Sequence, residues 1–208
     1  MQSEPGALEA AIRAAQTGEL AAFNTLVEYF QRQVYNVCFR TLGNAEDAAD
    51  ATQDAFLGAF RGISSFRGPG GGFRPWLLRI AVNACYDQLR RRQRRPADSL
   101  TEHEGADDEA SLDDRLTDTA PGPEQQALSG ETARRIETAL AQLSADHRLT
   151  IVLCDVQGLS YEHAAATMQV ELGTVKSRLS RARAHLRQLL AAAGELPTSG
   201  RRLEQRNP

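Results

Sequence analysis

No stretch of this 208-residue chain strings together the roughly 20 apolar residues that a bilayer crossing needs, and its N-terminus has neither the basic nor the apolar segment of a secretory leader. A cytoplasmic protein without membrane insertion is expected. Cysteine is scarce: Cys38, Cys85 and Cys154 are odd in number, far apart and set within apolar helical patterns, which excludes a disulfide framework and a zinc site and points to core packing. His103, His147, His163 and His185 are just as scattered, and none stands at ligand spacing from Cys or a carboxylate. Nucleophile motifs, phosphate loops and metal clusters are all missing. No catalysis, cofactor or metal is expected. A positive net charge is lacking too, for the chain carries −3. That counts against nucleic-acid binding unless the charge is unevenly spread.

It is unevenly spread. Arg90, Arg91, Arg92, Arg94 and Arg95 form one basic block, and Lys176, Arg178, Arg181, Arg183 and Arg187 form another. Between them, from Asp98 to Glu124, ten carboxylates face only Arg115. Two basic modules flank an acidic tether.

Periodicity makes both modules helical. A short helix ends near Gly18, and a longer one follows, with Leu20, Phe23, Leu26, Val27, Phe30, Val34, Val37, Cys38 and Leu42 at three- and four-residue steps and Gly43 as its stop. Asn44 caps a third helix that runs to about Gly62. The glycines and proline between Ser64 and Arg74 predict a flexible loop, and Pro75 opens a helix that ends in the first arginine block. These helices make one bundle. From about 96 to 123 the acidic chain, poor in large apolar residues, predicts an unstructured linker. The second module spans 124–192, and the tail 193–208 is expected to be disordered.

Within the second module, residues 158–190 read as a helix-turn-helix. Ser160 caps an Ala-rich helix, Gln169 to Glu171 form a short polar break, and Thr174 stands near the start of a long second helix. On that helix Val175, Leu179, Ala182, Leu186, Leu189 and Leu190 share one side, while Ser177, Ser180, Arg181, Ala184 and Gln188 lie opposite. A charged outer face alone suits mere solubility. Small and hydroxylated residues among the cations, after an Ala-rich helix and a tight turn, suit a helix that enters a major groove.

Taken in order, these segments resemble a bacterial extracytoplasmic-function sigma factor. Asn44-Ala-Glu-Asp-Ala-Ala-Asp-Ala-Thr-Gln-Asp-Ala-Phe is similar to the core-polymerase-binding helix of that family. Ser65-Phe-Arg-Gly and Phe73-Arg-Pro-Trp-Leu-Leu-Arg-Ile-Ala-Val-Asn resemble its promoter-melting loop and minus-10-reading helix. Asp155-Val-Gln-Gly-Leu-Ser-Tyr-Glu and Gly173-Thr-Val-Lys-Ser-Arg-Leu-Ser-Arg-Ala-Arg resemble its minus-35-reading helix-turn-helix. The resemblance implies an all-α fold of two small domains. Sigma region 2 covers 1–95, a flexible acidic linker 96–123, and sigma region 4 124–192.

The resemblance also assigns roles. Asp47, Asp50, Gln53 and Asp54 would dock on the polymerase largest subunit, although by spacing alone this acidic stripe is equally a solvated face. Phe66, Arg67, Asn83, Arg90 and Arg91 would serve minus-10 DNA. Yet Phe66 could as well fold over the core, Asn83 face water, and the arginines complement a helix dipole. Thr174, Lys176, Ser177, Ser180 and Arg181 would contact minus-35 DNA, with Arg178 and Arg183, beside the packed face, better placed for phosphates. The implied partners are the largest and second-largest subunits of core RNA polymerase, promoter DNA and an anti-sigma factor, which could hold the protein at the membrane. The linker would thread the polymerase channel later taken by RNA, or serve only as a solubilising spacer. Two other readings compete: a helix-turn-helix regulator that binds duplex DNA without polymerase, which leaves the acidic stripe and Gly-rich loop unexplained, and a single-stranded RNA binder, prompted only by the Arg and Gly around 67–74.

Overall fold

Helix caps written in the sequence divide the chain into its elements. A computed structural model describes residues 5–67, 72–94 and 123–192. Eight α-helices follow one another there: α1 (Pro5–Gln16), α2 (Leu20–Leu42), α3 (Ala45–Gly62), α4 (Phe73–Arg94), α5 (Pro123–Ala141), α6 (Ala145–Ile151), α7 (Tyr161–Met168) and α8 (Leu172–Ala192). A 3₁₀ turn (Ile63–Ser65) closes α3, and a π-helical turn (Val152–Val156) prolongs α6. No strand occurs among the described residues. The heart of the Gly-rich loop, the acidic tether up to 122 and the C-terminal tail lie outside them.

Gly43 ends α2 at φ 70°, its N–H donating to the Phe39 carbonyl at 2.7 Å. A left-handed residue is needed there, and glycine adopts it without a Cβ clash. Asn44 then accepts the Asp47 N–H at 2.9 Å to open α3. Ser144 and Ser160 cap α6 and α7 in the same way, each accepting the N–H three residues on.

α1 to α4 form the first module. Its core takes Leu26, Phe30 and Val34 from α2, Leu77 and Ala81 from α4, and from α3 a stripe of four alanines, Ala48, Ala51, Ala55 and Ala59, all fully buried. Alanines on that face let the neighbouring helices approach closely. A Cβ added at Gly58 would lie 3.0 Å from Ile80 Cγ2. Cys38 and Cys85 are both buried in this core, in keeping with a packing role.

The second module does not stand apart. Val37 of α2 and Leu78 and Val82 of α4 share one apolar cluster with Leu149, Val152, Leu153, Leu159, Ala164, Ala165, Met168 and Val175. So α7 packs on α4 and α6 on α2. A third cluster, with Leu140, Leu143, Ile151, Leu179 and Ala182, ties α5, α6 and α8 together. The sequence pattern marks each helix's apolar side but cannot say which module covers it.

Burial separates structural leucines from available ones. Leu77→Ala, at a site 1% exposed, is expected to cost about 2–5 kcal/mol of folding stability, whereas Leu57→Ala, at 47% exposed, should stay within about 0.5 kcal/mol. Urea unfolding followed by circular dichroism checks both.

Candidate nucleic-acid interface

The helix-turn-helix consists of α7, a turn at Gln169 and α8. Gln169 takes the left-handed conformation at φ 56°, and its N–H donates to the Ala165 carbonyl, which ends α7 and swings the chain into α8. Val175, Leu179 and Ala182 are buried, and Leu186 and Leu189 pack against the same cluster. Packing of that side leaves Lys176, Ser177, Ser180 and Arg181 exposed together on the other, with Thr174 half-buried at the entry. The Ser177 hydroxyl meanwhile donates to the Thr174 carbonyl at 3.0 Å.

Two arginines of α8 are engaged elsewhere. Arg178 is half-buried, its Nη2 2.6 Å from Asp146 Oδ2 on α6. Arg183 meets Asp155 through both ends of the carboxylate, at 3.0 and 2.5 Å, and this carboxylate pushes the guanidinium pKa above its ordinary range. Neither is a free cation in this arrangement.

On the first module the acidic stripe divides. Asp47 pairs with Arg92, and Asp54 lies 3.6 Å from Arg91, so both carboxylates turn toward the arginine block of α4. Arg92 also donates to the Leu42 carbonyl at the end of α2, and Arg90 pairs with Asp87 at 3.0 Å. Asp50 and Gln53 stay exposed. At ~100° per residue Asp50 sits beside Leu57 on α3, whereas Asp47 and Asp54 have turned further round the helix.

Beside Asp50 runs an apolar groove of about 810 Å³ between α2 and α3, lined among others by Leu20, Phe23, Val27, Tyr35, Gln53, Phe56, Leu57 and Phe60. Leu20, Leu57 and Phe60 are 59%, 47% and 45% exposed, large apolar surface gathered from two helices along one groove. Sequence reasoning singled out the carboxylates and missed these neighbours. Leu57 and Phe60, three residues apart and one turn beyond Gln53, carried the available signal.

Phe66, which the sequence left open between minus-10 DNA and a lid on the core, lies over the core in this structure. It is 8% exposed, its ring edge-on to Phe73 and tilted against Trp76 with centroids 5.6 and 5.0 Å away, and its carbonyl accepts the Gln16 side chain at 2.6 Å. Burial in an aromatic cluster removes the ring face that a base would stack on. Arg67 beside it is exposed and donates to the Ser64 carbonyl at 2.8 Å. Asn83 is exposed on α4. Among the described residues no helix is long and apolar enough to cross a membrane, and no group of three or more His, Cys, Asp or Glu could hold a metal ion.

Both modules are similar to known proteins. The family model for sigma-70 region 2 matches residues 26–95, and that for sigma-70 region 4 matches residues 133–186. The extracytoplasmic-function RNA polymerase sigma factor SigE of Mycolicibacterium smegmatis is 38% identical over 178 residues, 84% of this chain but 65% of that protein, so the chain spans just under two thirds of its length. RNA polymerase sigma-H factor of Pseudomonas aeruginosa is 36% identical over 172 residues, 83% of this chain and 88% of that one. Among solved structures, the sigma factor RpoE of Bartonella quintana, in complex with the anti-sigma factor NepR, superposes with a TM-score of 0.61 at 29% identity, covering 81% of this chain and 96% of its own. The chain belongs to the extracytoplasmic-function family of RNA polymerase sigma factors.

Proposed function

We propose that this sigma factor joins core RNA polymerase through the α2–α3 groove and its Asp50 rim, reads the minus-35 element with α8 and engages the minus-10 element with α4 and the loop before it. The observation that carries this reading is the presence, in one chain, of a helix-turn-helix with an exposed cationic and hydroxylated face and an exposed apolar groove, with the exposed Asp50 on one of the two helices that line it. A groove of that kind suits a basic amphipathic helix pair: its apolar residues fill the cavity while a cation meets Asp50. A DNA regulator acting without polymerase has no use for it.

On α8, Lys176, Ser177, Ser180 and Arg181 are the base-reading candidates, and Thr174, Arg178 and Arg183 the phosphate contacts. On α4, Asn83 offers an amide to a minus-10 base, with Arg67, Arg90 and Arg91 beside the backbone. Phe66 belongs to this set only if the aromatic cluster releases it. The protein performs no covalent step in this scheme, and binding energy opens the duplex. By the same chemistry the groove also suits an anti-sigma factor, which would compete with polymerase for it. Run-off transcription with purified core on a promoter library tests the proposal as a whole, and promoter-independent output identical to core alone would overturn it.

Two substitutions test its parts. Asp50→Lys is expected to weaken association with core by at least tenfold, about 1.4 kcal/mol, while leaving the unfolding midpoint unchanged, because the carboxylate is exposed and unpaired among the described residues. Titration of labelled core measures the first and thermal denaturation the second. Arg181→Ala should flatten base preference at one or two minus-35 positions, worth about 1–3 kcal/mol of discrimination, in a holoenzyme promoter selection.

A further inference from the structure

The apolar stripe of α8 decides which side of the helix packs but not its roll about its own axis, because hydrophobic contact has no preferred direction. Two ion pairs supply the direction. Arg178 and Arg183 are five residues apart, about 140° round the axis at ~100° per residue, and stand on opposite flanks of Val175, Leu179 and Ala182. Arg178 Nη2 lies 2.6 Å from Asp146 Oδ2 on α6, and Arg183 reaches both oxygens of Asp155 through Nε and Nη2. A roll in one direction stretches the first pair, and a roll in the other stretches the second.

The π turn aims the second carboxylate. At ~100° per residue along a regular α-helix, Asp155 would stand half a turn round the axis from Asp146. Instead the Gln157 N–H donates to the Val152 carbonyl, five residues back, at 2.9 Å, and such a turn holds one residue more than an α turn. The chain beyond it is set back by up to ~100°, which brings Asp155 round to α8. Both pairs are partly exposed and add little to stability, so orientation is what they contribute.

Roll matters for reading bases. With its side chains an α-helix has a radius of roughly 5–6 Å, so turning it by ~20° moves its head groups by about 2 Å. A binding constellation tolerates only ~10–20°. Beyond that, Lys176, Ser177, Ser180 and Arg181 would still face the duplex as a cationic surface but would miss the base edges.

We infer that Asp146 and Asp155 are positioning residues for the minus-35 reading face: they brace α8 through Arg178 and Arg183 and so sharpen its choice between base pairs. The inference rests on the promoter reading above and concerns the specificity of that site. It leaves the arginines able to touch phosphate, since a guanidinium has five N–H donors and Asp155 takes two of those on Arg183.

The Asp155 pair carries the test, because Asp146 also accepts the Tyr86 hydroxyl of α4 at 2.9 Å across the seam between the modules. Holoenzyme is assembled with core polymerase, and initiation is compared on promoters with matched and mismatched minus-35 elements. Asp155→Ala is expected to lower the matched-to-mismatched ratio by at least about fivefold, the low end of what one bidentate base contact discriminates, with little change on the mismatched promoter. Asp155→Arg combined with Arg183→Asp reverses the pair at constant net charge and should restore most of the ratio, although losing a phosphate contact weakens both promoters alike. Asp155→Glu, which keeps the carboxylate, should also restore it and carries the rescue if the reversed pair loses its helical circular dichroism. A ratio unchanged in Asp155→Ala, with every promoter stronger or weaker by the same factor, would mean that the carboxylate acts only as a charge or a prop for the fold, and would overturn the inference. So would a lost ratio that neither rescue restores. Failure of the promoter reading looks different: wild type would itself show no preference at minus-35.

Discussion

Val37, Leu78 and Val82 form an apolar face on the first module, and the rest of the architecture depends on covering it. Burying a Val or Leu side chain contributes about 1.5–3 kcal/mol, so three of them supply a substantial drive for whatever docks there. α6, the π turn after it and α7 are the elements that arrive. Their docking places Asp146 next to Tyr86 and brings Gln157 within reach of Arg74 and Gln33. The polar contacts follow from the apolar one. Isolated, partly exposed ion pairs contribute only about 0–1 kcal/mol each, which suits them to tuning and exchange and not to holding the assembly.

That exchangeability matters most for the arginines. Arg91 and Arg92 lie against Asp54 and Asp47, Arg178 against Asp146 and Arg183 against Asp155. Each of these cations therefore already has an internal carboxylate as its partner. A chain with net charge −3 can thus carry two basic blocks without attracting nucleic acid indiscriminately. The burial of Arg148 and Arg74, which lowers both their pKa values, is of another kind: these guanidinium groups satisfy backbone carbonyls at helix ends and have become part of the fold.

The surfaces left uncovered are informative for the same reason. The α2–α3 groove and the outer face of α8 point away from the seam, so closing the modules leaves both exposed.

Local chemistry determined the helices. Gly43, Asn44, Ser144 and Ser160 set boundaries through backbone groups a few residues away, and apolar repeats at three and four residues identify the buried side of each helix. The helix-turn-helix and the exposed cationic face of α8 were legible for the same reason. The ordered motifs carried the family. What the sequence could not decide was pairing between distant parts. Val37 read simply as one of the apolar repeats of its helix, Asp47 and Asp50 as members of one stripe, and Phe66 as equally a contact for minus-10 DNA or a lid on the core. The tertiary structure separated these cases, because which module covers a face, which carboxylate meets an arginine and which ring finds an aromatic neighbour depend on residues many positions away, and helical periodicity records the direction of a side chain without naming what it meets.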